Sequence, residues 1–118
     1  MGRTISQEKI LGIAEARARD PEAIGPILGE FVVNGNVPVE AMAKILNVSE
    51  PTVYRWIFSQ ASPKDRDKIA KIRKLITILR KAKRARDLPL MGTLKARMAQ
   101  LPHILEIHRP LTRGPAAE

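Results

Sequence analysis

Apolar residues recur at helical spacing along most of the chain, and the pattern predicts an all-α protein. Ser6 can cap a first helix in which Ile10, Leu11, Ala14 and Ala18 recur at that spacing, ending near Arg19. Asp20 followed by Pro21 reads as an N-cap and a first helical position. The second helix is expected from about Pro21 to Val33, with Gly25 and Pro26 able to delay its true start to about Pro26. Its buried face is Ile24, Ile27, Leu28, Phe31 and Val32, and Asn34–Gly35 is its stop. A third helix opens at Pro38 and a fourth at Ser49. Ser62–Pro63 is expected to launch a long helix to about Arg86, ended by Asp87, Leu88 and Pro89. The remainder predicts a short helix near Thr93–Leu101 and then a loosely ordered Pro- and Gly-containing tail.

The segment from Val39 to Phe58 meets the steric demands of a helix-turn-helix. Ala43 is small where two helices would cross, and Asn47 suits a turn position with positive φ. Val48 can plug the turn into the core, with Leu46, Val53 and Trp56 as the apolar joint. Ser49, Glu50, Thr52, Tyr54, Arg55 and Ser59 then fall on the outer side of the second helix, the face that would enter a major groove. With Ala43, Asn47, Val48, Val53 and Trp56 in place, and Ser62–Pro63 after a short loop, the chain resembles the lambda-repressor-like helix-turn-helix family over about residues 22–80. Val37 stands where that family places an apolar residue before its second helix. The resemblance implies a dimeric transcriptional repressor of the phage or mobile-element type. Two features depart from the family. Val39 replaces a Gln that often touches a phosphate, and the helix after Pro63 is longer and more basic than usual. Excisionase-type proteins share the look of Thr52 to Ile57, but no strand pattern for their β-wing follows Phe58.

Charge sharpens this picture. The net charge of +9 divides into −1 over residues 1–62 and +10 over residues 63–118, so the basic character is confined to the second half. A polyanionic partner follows. In the long helix and its entry, Lys64, Arg66, Lys68, Lys71, Arg73, Lys74, Arg80, Lys81, Lys83, Arg84 and Arg86 face only Asp65 and Asp67, too lopsided for salt-bridge lacing. The same helix carries an apolar stripe of Ile69, Ile72, Ile76 and Leu79, widened by Leu75 and Ile78. A stripe that wide must be buried against the domain or against a second copy, which makes these four residues the candidate surface for a homo-oligomer, a dimer first.

Candidate base-reading residues are Ser49, Glu50, Pro51, Thr52, Tyr54 and Arg55. Arg55 is the first choice because its planar fork matches guanine O6 and N7, the alternative being a phosphate contact. Glu50 either favours the helix dipole or accepts from cytosine N4. Pro51 and Thr52 suit a thymine methyl group, and Tyr54 either donates to a phosphate or covers the core edge. Candidate phosphate contacts are Lys44, Ser59, Lys64, Arg66, Lys81, Lys83, Arg84 and Arg86.

Composition removes other classes. The chain has no cysteine and only two histidines, His103 and His108, without further ligands nearby, so neither a disulfide nor a metal site is expected. Aromatics make up 3% of the residues, too few for a stacking platform. There is no phosphate-cradling glycine loop and no nucleophile–base pair, so neither catalysis nor a cofactor is expected. No apolar run is long enough for a membrane span and no secretion signal opens the chain, so a cytoplasmic protein is expected. Three segments are expected: 1–20 as an N-terminal helical segment, 21–80 as the DNA-binding domain and 81–118 as a basic extension with a loose tail. The leading expectation is a small regulator binding double-stranded DNA. The alternatives are a DNA-recognition subunit of a packaging or recombination assembly, and an adaptor that binds RNA polymerase or another protein.

Overall fold

The computed structural model describes residues 7–19 and 23–108. Six helices follow one another: α1 (Gln7–Arg19), α2 (Ile24–Asn34), α3 (Val39–Leu46), α4 (Glu50–Ile57), α5 (Arg66–Arg84) and α6 (Leu94–Ile107). No strand occurs among the described residues, so the all-α expectation holds. The expected cap at Ser6 and the Asp20–Pro21 start both lie outside the described residues.

Helix α2 packs against α1 and against α4. It starts at Ile24, so Gly25 and Pro26 fall in its first turn, where a missing N–H leaves no broken bond. Gly25 and Gly29, one turn apart, form its contact face. A Cβ on Gly25 would stand 2.1 Å from the backbone oxygen of Trp56. One on Gly29 would stand 2.7 Å from Cγ2 of Ile57 and 2.9 Å from Cγ2 of Ile13. Neighbouring helices thus reach the α2 backbone itself. This close approach selects the face that α1 buries, namely Ile13 and Ala16, while Leu11, Ala14 and Ala18 are exposed. Asn34 ends α2 as expected, but the left-handed residue is Asn36, with φ 55°, and not Gly35, with φ −102°.

Helix α5 begins at Arg66 rather than at Pro63, because Asp65 supplies the cap: its Oδ1 accepts from the Asp67 amide at 2.9 Å. Ser62 and Pro63 belong to the link before it. The apolar stripe is consumed inside the chain. Ile72, Ile76 and Leu79 are buried in the same cluster as Leu28, Met42 and Leu101, and Ile69 is half-buried. Of the four residues expected to offer a homo-oligomer surface, Ile72, Ile76 and Leu79 thus lie in the chain's own core and Ile69 stands half-buried at its edge.

What covers that stripe is in part α6, which packs on both α5 and α3. It runs to Ile107, six residues past the expected end at Leu101, and Pro102 sits inside it. An interior proline costs about 3 kcal/mol. Burying Leu101 and Ile104 on either side returns about 1.5–3 kcal/mol each, so the helix continues. Residues 109–118 of the expected loose tail lie outside the described residues. Between α5 and α6, the Leu90 amide donates to Gly35 O at 2.8 Å and Asn36 Nδ2 donates to Leu90 O at 3.1 Å. Arg97 Nη1 donates to Asn36 O at 2.9 Å, so the α2–α3 link and the α6 region are bound to each other. One buried cluster draws residues from all six helices.

Candidate nucleic-acid interface

Helices α3 and α4 are eight residues each and are joined by Asn47, Val48 and Ser49. Asn47 adopts φ 57° and ψ 50°, the left-handed conformation expected of it. Its amide donates to Lys44 O at 3.3 Å, and the Val48 amide donates to Ala43 O at 3.0 Å. These two bonds satisfy carbonyls that the end of α3 would leave open. Ser49 then caps α4, its Oγ accepting from the Thr52 amide at 3.3 Å. Ala43 is 4% exposed, and it shares one buried cluster with Leu46, Val53 and Trp56. Val48 is half-buried against that core.

The burial pattern sorts the six candidate base-reading residues into two groups. Pro51 and Arg55 are exposed, Thr52 is half-exposed beside them, and the Ser49 hydroxyl lies 2.9 Å from that of Thr52. These four form one outward ridge that runs from the Ser49 cap to the last turn of α4. Glu50 and Tyr54, four residues apart, line a groove of about 560 Å³ that also takes in Lys9, Val39 and Arg97. The ammonium of Lys9 sits 5.1 Å from the centre of the Tyr54 ring, and that ring stacks at 6.3 Å on Phe58. Tyr54 is thus engaged with α1 and with the end of its own helix.

The phosphate candidates divide as well. Lys44 is exposed in the last turn of α3, 3.8 Å from Glu40. Lys64 and Arg66 are exposed at the entry to α5. Ser59 and Arg86 have φ 59° and 66°, each just past the end of a helix, so both carry a backbone role whatever their side chains touch. Lys83, Arg84 and Arg86 are exposed and Lys81 half-exposed at the far end of α5. They stand about 20 Å or more along the helix axis from its first turn, at 1.5 Å per residue.

Besides Lys71, sequence reasoning left three exposed cations of α5 unnamed as phosphate contacts: Arg73, Lys74 and Arg80. With Arg66 and Arg84 they make the solvent side of α5, and none of the five is in an ion pair with another described residue. It also missed the role of Lys68. That side chain precedes Ile72 by four residues and Leu75 by seven, which places it on the inward side of α5. Its Nζ donates to Leu46 O at 2.8 Å and to Asn47 O at 3.2 Å. A lysine in line with an apolar stripe was the available signal.

No family model, curated protein or solved structure matches the chain. The site therefore stands on its own geometry: a short helix with one open ridge, followed in the chain by a long helix with an unneutralised basic face. No group of three or more potential metal ligands gathers among the described residues, and no helix there is long and apolar enough to cross a membrane.

Proposed function

We propose that the chain binds double-stranded DNA sequence-specifically, with residues 39–58 acting as a helix-turn-helix of the lambda-repressor-like kind, and that it serves as a small transcriptional regulator. Helix α4 enters the major groove. Arg55 reads a guanine, and Pro51 and Thr52 meet a thymine methyl group. The basic face of α5 neutralises backbone phosphates and contributes affinity without sequence preference. The observation that carries this reading is the exposed ridge of Ser49, Pro51, Thr52 and Arg55 on a helix held in place by the buried Val53, Trp56 and Ile57. Such a ridge presents a fixed set of side chains, which base recognition needs. The unpaired cations of α5 supply the second requirement, a surface for a polyanion.

The test is selection from random-sequence duplexes, followed by binding measurements on the enriched and a scrambled duplex at matched salt. The reading expects enrichment of a defined site, bound at least about 10³-fold more tightly than the scrambled sequence, the order typical of specific binders. Recovery of no preferred sequence contradicts it.

A further inference from the structure

Lys68 is the α5 side chain that hydrogen-bonds another helix among the described residues, and it does so at the point where α3 ends and the turn to α4 begins. Its two acceptors, Leu46 O and Asn47 O, belong to the carboxyl end of α3, where carbonyls without helical partners carry partial negative charge. An ammonium there satisfies both geometrically and electrostatically. Ser49, the cap of α4, is two residues beyond Asn47. The apolar packing of α5 on α3 permits some sliding, because dispersion attraction is non-directional. Two charge-assisted hydrogen bonds to backbone oxygens are directional and fix one setting.

We infer that Lys68 is a positioning residue that locks the turn, and with it the base-reading ridge of α4, at a set angle to the phosphate-binding face of α5. This rests on the DNA-binding reading above for its functional consequence, though not for the strut itself. Lys68 stands among eleven basic residues between positions 64 and 86, yet it is assigned no phosphate. Its charge is spent on the protein's own backbone. Lys71, three residues on, is exposed instead.

Three proteins test the assignment: the unaltered chain, Lys68→Met and Lys68→Arg. Methionine keeps the length of the stem and removes the donors; arginine keeps donors and charge. Binding to the selected and the scrambled duplex is measured across a salt series. Lys68→Met is expected to lose about tenfold on the selected duplex, the scale of one charged hydrogen bond. Its affinity for the scrambled duplex and its salt slope stay unchanged, and Lys68→Arg recovers most of the loss. If Lys68→Met instead lowers both affinities together and reduces the slope by about one, Lys68 is a phosphate contact and the assignment fails. Equal binding by all three proteins also overturns it.

A second measurement needs no DNA. Amide exchange of Val48, whose N–H is held by Ala43 O, should speed up several-fold in Lys68→Met and return in Lys68→Arg, while that of His108, held by Ile104 O, stays constant. Unchanged exchange at Val48 removes the strut whatever the protein binds. A chain that selects no DNA sequence but shows this exchange pattern keeps the strut and loses the reading of function.

Discussion

Helices α4 and α5 each present an open face, and the two faces are built in opposite ways. The ridge of α4 is small, carries one charge at Arg55 and sits on eight residues whose other sides are buried or engaged. The face of α5 spans about 27 Å from Arg66 to Arg84 at 1.5 Å per residue, and its exposed charges are cationic apart from Asp67. On the proposed DNA-binding reading, position matters on the first and charge on the second. A base edge is distinguished by hydrogen bonds that fail if the donor moves by an ångström, whereas a phosphate row responds to net charge over a length. The supporting structure follows this division. Gly25 lets α2 come against the α4 backbone, Gly29 admits the side chains of Ile57 and Ile13, a left-handed Asn47 fixes the turn, and Lys68 ties that turn to α5.

Damage to the support of α4 should therefore be the most severe. Gly25→Ala brings a Cβ within 2.1 Å of the Trp56 oxygen, a backbone atom that cannot rotate aside. The expected loss is about 3 kcal/mol of folding stability, at the upper end for overpacking, read by denaturant unfolding. A loss below about 0.5 kcal/mol would mean that α2 and α4 separate freely. Ala43→Leu, in α3 where only 4% of the residue is exposed, should cost about 1–3 kcal/mol by the same measurement. An unchanged melting temperature there removes the close packing of α3 on α4 that the helix-turn-helix requires.

Changes at the ends of the two helices should be mild and should raise stability. Ser59→Gly and Arg86→Gly relieve non-glycine residues at φ 59° and 66°. Each should gain about 0.5–1 kcal/mol, because glycine carries no Cβ penalty in the left-handed region. Their binding effects separate the two faces. Arg86→Gly removes a cation and should lower the salt slope slightly, while Ser59→Gly should leave it alone.

Much of this was legible from residue order. Asn47, Val48, Ser49 and the apolar joint around Val53 and Trp56 report local sterics, and local sterics survive into the fold. What was not legible depended on partners remote in sequence. The buried side of α1 could not be read from spacing, since Leu11, Ala14 and Ala18 have the same periodicity as Ile13 and Ala16. The choice was made by Gly29 of α2, whose missing side chain admits Ile13. The wide stripe of α5 was ambiguous between a second copy and the chain's own core for a similar reason: its cover, α6, continues through Pro102, where local rules predict a stop. At the site, exposure at helical spacing placed Glu50 and Tyr54 with Arg55. A groove to which α1 and α6 supply Lys9 and Arg97, and which α2 and α3 also line, distinguishes them.

The division of labour between α4 and α5 is the central claim, and one salt series tests it directly. Affinity for the selected and the scrambled duplex is measured for the unaltered chain, for Arg55→Ala and for the combined change of Arg73, Lys74, Arg80 and Arg84 to Gln. Arg55→Ala should weaken the selected duplex alone, by about 1–3 kcal/mol, with little change on the scrambled one. The combined variant should reduce the slope of log affinity against log salt by up to about 3.6 on both duplexes, close to 0.9 for each phosphate no longer neutralised, and leave their ratio unaltered. If Arg55→Ala weakens both duplexes equally, or if the combined variant leaves the slope where it was, the two faces do not divide the work between them.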